Sequence, residues 1–97
     1  PLRDRLARAE TLEERRAAAL CLGQVGAEAQ PAVPEIAALL TEPDSYSRLA
    51  AILALAGIGG PEACGELART AAEDPDAGLR LEALINGAGP CGFEPAE

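Results

Sequence analysis

"RRAAALCLGQVG", residues 15–26, is an alanine- and leucine-rich run that closes on Gly-x-Val-Gly. "RLAAILALAGIG", residues 48–59, says nearly the same thing again. Other positions keep the same beat. Glu10, Glu42 and Asp74 stand 32 residues apart, as do Arg16, Arg48 and Arg80. The turn "EPDS" at 42–45 returns as "DPDA" at 74–77. "LGQVG" at 22–26 and "LAGIG" at 55–59 are offset by 33, a one-residue slip. A fixed period of this size marks a tandem array of small supersecondary units.

Each unit reads as two helices. Thr11 with Glu14 forms a capping-box signal, and Ala, Leu and Cys fill residues 17–22. Gly23 and Gly26 are expected to end that helix, with Leu20 and Leu22 in the core. Pro31 suits the first turn of a second helix, whose apolar stripe is Val33, Ile36, Leu39 and Leu40. Pro43 blocks continuation, and Asp44 or Ser45 caps the next helix.

The plan then repeats. Residues 46–56 form a helix anchored by Leu49, Ile52, Leu53 and Leu55, broken by Gly57, Gly59 and Gly60. Pro61 starts a weaker partner helix with Leu67 and the small residues Ala63, Ala68 and Ala71, and Pro75 ends it. A third unit opens at Ala77 and is cut short after Gly89 and Pro90. In front, Leu2, Leu6 and Ala9 suit the second helix of a preceding unit, with Arg3, Arg5 and Arg8 on its solvated side.

The 97 residues thus predict one domain: 1–9 as the end of a preceding repeat, then 10–41, 42–73 and a truncated 74–97. The chain starts at Pro1 and lacks polar end caps, so a longer parent array is expected. No signal peptide or membrane span is visible.

With two aromatic residues and no Trp, Met or His, the core must come from Ala, Leu, Ile and Val. Small side chains suit closely packed helices, and no β-branched or aromatic runs suggest strands. Net charge is −8, unevenly spread: residues 1–16 hold five arginines and four acids, residues 17–97 three arginines and twelve acids. Such a surface excludes nucleic acid and anionic membranes as partners, since both need clustered cations. Cys21, Cys64 and Cys91 form neither a CxxC pair nor a dense disulfide framework. Cys21 and Cys64 read as small buried hydrophobes, and Cys91 as an exposed, oxidisable tail residue.

The pattern Arg-Arg-Ala-Ala-Ala-x-x-Leu-Gly-x-Val-Gly, then "AEAQPAVPEIAALL" and an acid-Pro-Asp turn, resembles HEAT repeats. The short units are similar to the HEAT-like repeats of the phycobilisome lyase type. The resemblance implies an all-α fold, an α-α superhelix: a right-handed solenoid of antiparallel helix pairs, about three repeats long. It also implies a ladder in which an acid before each first helix meets an Arg early in a neighbouring one. Glu10, Glu42 and Asp74 match the acid, and Arg16, Arg48 and Arg80 match the Arg. The usual apolar residue before that Arg is kept as Leu79 but replaced by Arg15 and Ser47, where looser packing is expected.

The function implied is a non-enzymatic protein–protein interaction scaffold. Its second helices would offer Glu35, Thr41, Glu62, Glu66, Arg69, Thr70 and Glu73 to a protein partner with a basic segment. The alternatives are a lyase-type or accessory subunit acting on a chromophore-bearing protein, and a structural spacer in a multidomain protein. No catalytic, cofactor or metal residues are assigned. The iron-dependent hydroxylases built from such repeats need histidine ligands, which this chain lacks. HEAT-like glycosylases need a basic, aromatic-lined groove. For a lyase, Cys64, Cys91 and Tyr46 have no recognisable base beside them.

Overall fold

The computed structural model describes residues 11–93. The expected helix around Leu2, Leu6 and Ala9, with Arg3, Arg5, Arg8 and the acid Glu10, lies outside those residues.

Helix α1 spans Leu12–Val25. Its N-cap is Thr11, whose Oγ1 accepts the Glu14 amide at 3.1 Å while its hydroxyl donates to the Glu14 carboxylate. Gly26 closes the helix at φ +86° and ψ −144°, close to a region of backbone space used essentially only by glycine. The next run is helical from 26 to 41 but only partly α. Gly26–Ala32 and Ala38–Thr41 are 3-10, and α2 is the short Val33–Ala37 between them. Pro31 and Pro34 lack amide donors, so they interrupt the i→i−4 pattern that a single α-helix needs.

Helix α3 is Ser45–Ile58, with Asp44 as its N-cap accepting from the amides of Tyr46 and Ser47. Helix α4 is Gly60–Glu73, with Pro61 in its first turn, and α5 is Ala77–Gly87, capped by Asp76. The described residues contain no strand, and the chain is an all-α stack of helices.

Two layers result. Helix α3 packs against α1 on one side and α5 on the other. The 26–41 run and α4 cover α3 from the second layer, and α4 also packs closely on α5. The dimensions are 41 × 27 × 16 Å. The short one is that of two helix layers about 8–10 Å apart, given a Cα radius of about 2.3 Å. Between the layers lie Ile36, Leu39, Ile52, Leu55 and Leu67, all without solvent contact.

Alanines and glycines set the α1–α3 spacing. Ala18, Ala19, Ala51 and Ala54 are buried. Gly23 and Gly57 were expected to break helices, yet both lie inside them. Their role is close approach: a Cβ on Gly23 would stand 2.8 Å from the Ala54 Cα, and one on Gly57 would overlap the Gly23 carbonyl.

Several other expectations are corrected. Leu20 and Leu53 are 40% exposed, because they face away from the neighbouring layer, and Leu49 is only partly buried. Cys21 is exposed and free. Cys64 and Cys91 form a disulfide, with Cα atoms 5.5 Å apart, closing a 27-residue separation. The sequence hides it because the partners meet only after α5 has turned the chain back beside α4. The turn is held by Gly87, whose carbonyl accepts from the Cys91 amide (2.9 Å) and the Phe93 amide (3.4 Å), with the Phe93 ring against Gly87. Looser packing at Ser47 is not found: the residue is fully buried, and its hydroxyl is bonded to Asp44.

Gly57→Ala tests the backbone contact, because two effects oppose. Helix propensity favours Ala by about 1 kcal/mol. Overpacking against backbone costs about 1–3 kcal/mol and has no flexible side chain to absorb it. The expected outcome of thermal unfolding followed by circular dichroism is a lower Tm; a raised Tm removes the close-approach argument.

Candidate functional site

Two features stand out: a row of ion pairs along the turns, and the outer surface of the second layer. In the first, the Arg48 Nε donates to Asp74 Oδ2 at 3.1 Å, linking α3 to the turn before α5. The side chains are 11% and 4% exposed. Arg48 Nη1 also donates to the carbonyls of Glu42 (2.9 Å) and Pro43 (2.8 Å), while the Asp76 amide donates to Asp74 Oδ1 at 2.9 Å. Both charges therefore keep directed partners in a place with little water. Arg80 repeats the backbone part of this, donating to the Asp74 carbonyl six residues earlier at 2.7 Å.

The preceding step is built differently. Arg16 does not reach Glu42; its Nη1 donates to Asp44 Oδ2 at 3.0 Å and to Ser47 Oγ at 3.3 Å. Glu42 instead accepts from Arg15 at 3.3 Å, nearer the surface. The longer Glu side chain suits the outer pairing, where the shorter Asp74 lies beneath Arg48. Ser47, standing where Leu79 stands in the next unit, supplies the hydroxyl that draws Arg16 toward Asp44. Glu10 lies outside the described residues.

Asp44 is the hub of this step. The Ser47 hydroxyl, first among its contacts, holds the carboxyl below its ordinary value of 3.8. The amides of Ser47 and Tyr46 and the Arg16 guanidinium act in the same direction, and desolvation opposes them.

The second layer presents two shallow grooves that meet at Arg69. One, about 390 Å³, is lined by Val33, Pro34, Pro61, Glu62, Gly65, Glu66 and Arg69. The other, about 270 Å³, is lined by Leu40, Thr41, Arg69, Thr70, Glu73, Asp74 and Pro75. Glu62, Arg69, Glu73 and Thr41 are exposed, while Glu35 and Glu66 are half-buried. Arg69 is paired with Glu66. Thr70, expected on the surface, is buried with its hydroxyl on the Glu66 carbonyl at 2.9 Å. Its hydroxyl satisfies a backbone acceptor of its own helix, which the residue spacing alone does not reveal.

Of the side chains considered for covalent chemistry, Cys64 and Cys91 are consumed in the disulfide. No group of three His, Cys, Asp or Glu residues that could hold a metal ion occurs among the described residues. No helix among them is long and apolar enough to cross a membrane.

A family model for HEAT repeats matches residues 1–86. Neither the curated proteins nor the solved structures provide a match.

The two ion-pair steps differ in depth, so their removal has different costs. Arg48→Ala leaves the Asp74 carboxylate buried without its counter-charge, a loss of about 3–5 kcal/mol. Arg16→Ala exposes a pair already near water and costs about 1 kcal/mol or less. Denaturant unfolding of both variants checks the order, and equal losses would contradict it.

Acid provides a second check. A folded-state carboxyl pKa below the unfolded one contributes stability that is present above about pH 4 and fades as pH falls through the folded value. Asp44→Asn is therefore expected to flatten the fall in stability below pH 4, as measured by unfolding at a series of pH values. An unchanged slope would mean that Asp44 does not carry this effect.

Proposed function

The chain belongs to the HEAT-repeat family, and on that premise we propose that it is a non-enzymatic scaffold holding a protein partner against its second-layer face. The observation that carries this reading is the pair of grooves meeting at Arg69, rimmed by Glu62, Glu66 and Glu73. Three glutamates thus stand beside the one arginine of the grooves, and that arginine is already paired with Glu66. A partner segment bearing Lys or Arg meets a favourable field there, which acts mainly on association rate and specificity. Contact along both grooves would order such a segment across the α2 and α4 surfaces.

Within this proposal the ion pairs are the ladder that fixes the register of repeats starting at 10, 42 and 74. Arg48–Asp74 is its buried rung, and Arg15–Glu42 with Arg16–Asp44 make a split one. The 32-residue period supports the short-repeat class, similar to that of the phycobilisome lyases. It does not support lyase chemistry, because the disulfide leaves neither Cys64 nor Cys91 a thiol for attack. A plain spacer differs from a scaffold in making no selective contact through the second layer.

An array of Lys/Arg-bearing peptides with charge-neutral counterparts separates the two. The scaffold reading expects basic peptides to be retained at physiological salt and Glu66→Arg/Glu73→Arg to weaken that binding at least tenfold. Binding indifferent to the double reversal would leave the spacer reading in place.

A further inference from the structure

The outer surface of the first layer differs in kind from the acidic second layer. Positions 17, 49 and 81 are one register of the 32-residue period, and 21, 53 and 85 another. They hold Ala17, Leu49 and Leu81, then Cys21, Leu53 and Ile85, and they run side by side across α1, α3 and α5. Leu81 is 56% exposed and Ile85 58%. Tyr46 extends the stripe along α3 and is 73% exposed. In the same outward registers Glu14 alone is charged, at the edge of the stripe. Every large hydrophobic that is exposed among the described residues belongs to these three helices. Leu49 is partly buried against the core, while Tyr46, Leu53, Leu81 and Ile85 stay exposed among the described residues.

We propose that it is a self-association surface, covered by a second copy of this chain related by a two-fold axis over α3. Area, charge and composition support that occupant. The stripe sits on a broad face of 41 × 27 Å, roughly 1,100 Å² in projection, so the face as a whole has room for the ~800 Å² per partner of a standard interface. Each copy carries a net charge of −8, which would oppose pairing through any acidic surface. With the stripes together, the acidic second layers point apart. Given a slab thickness of 16 Å, they lie roughly 30 Å from each other, more than three Debye lengths at physiological salt. An isologous contact is self-complementary, and apolar side chains at helical spacing interdigitate with an equivalent set. Tyr46 adds the residue type that interfaces favour as an anchor.

Sedimentation velocity and multi-angle light scattering across a dilution series of the 97-residue chain test this. The expected result is a concentration-dependent dimer. Leu53→Glu should weaken it at least tenfold, with helix content unchanged by circular dichroism. Tyr46→Asp, at a site too exposed to affect folding, should weaken it likewise should the Leu53 variant misfold. Bulky maleimide labelling of Cys21 blocks the same face without mutation. Glu66→Arg/Glu73→Arg, on the opposite face, should leave the dimer intact. A chain that stays monomeric throughout overturns the proposal, and monomers whose stripe takes up an apolar dye would assign the face to a different protein. A dimer untouched by Leu53→Glu, Tyr46→Asp and labelling overturns it too, by moving the contact elsewhere.

Discussion

Helices α1 and α3 meet backbone to backbone, at Gly23 and Gly57, and much of the remaining architecture depends on that contact. Helices this close leave space only for alanine along their shared seam, as at Ala18, Ala19, Ala51 and Ala54. Larger side chains are therefore displaced to the seam between layers, where Ile36, Leu39, Ile52, Leu55 and Leu67 fill the gap from both sides. A core of this kind needs no aromatic residue. It gains density from approach distance instead of side-chain bulk.

The same contact creates a problem of register. Two alanine surfaces offer little to distinguish one alignment from another shifted by a helical turn of about 5.4 Å. Directed polar contacts do distinguish them. At the next step, α3 against α5, Arg48 reaches a carboxylate and two carbonyls at once, and a slip by one turn there would strand the Asp74 charge away from water. A buried pair adds little net stability over an apolar replacement, but its disruption costs about 3–5 kcal/mol. On the proposed ladder reading, its contribution is mostly a penalty on the wrong alignment. The nearer-surface pairs of Arg15 and Arg16 impose a smaller one, at the step where Gly23 and Gly57 already fix the distance.

Periodicity made the stack legible because period and secondary structure leave separate marks in the sequence. Thr11, Asp44 and the prolines placed the helix ends within a few residues, since caps and missing amides act locally. What was not legible depends on direction. Glycine in a helix has two explanations, a stop or a close approach, and only the neighbour's position decides between them for Gly23 and Gly57. Leu20 and Leu53 look like core by type, yet type does not say which side of a helix is covered. The choice of Asp44 over Glu42 by Arg16 turns on one hydroxyl, that of Ser47, standing where an apolar residue was expected. On the second layer, the exposure of Glu62 and Glu73 was legible from spacing, whereas Glu66 is half-buried and Thr70 was misplaced because its hydroxyl serves its own helix.

The Cys64–Cys91 bond belongs with these directional features and completes their logic. In a stack, each unit is stabilised by contacts with its neighbours, so a helix packed on one side has fewer of them than one packed on both. Helix α3 has α1 and α5 on either side, while α5 has α3 and α4. Closing a loop of 27 residues removes unfolded-state entropy worth about 3.5 kcal/mol in the chain-entropy picture. That is comparable to the loss of a modest packing interface. The bond also draws Cys91 and Phe93 onto the core beside α4 and α5. A covalent tie at this point therefore fastens the end of α5 to α4 without adding bulk to the grooves around Arg69.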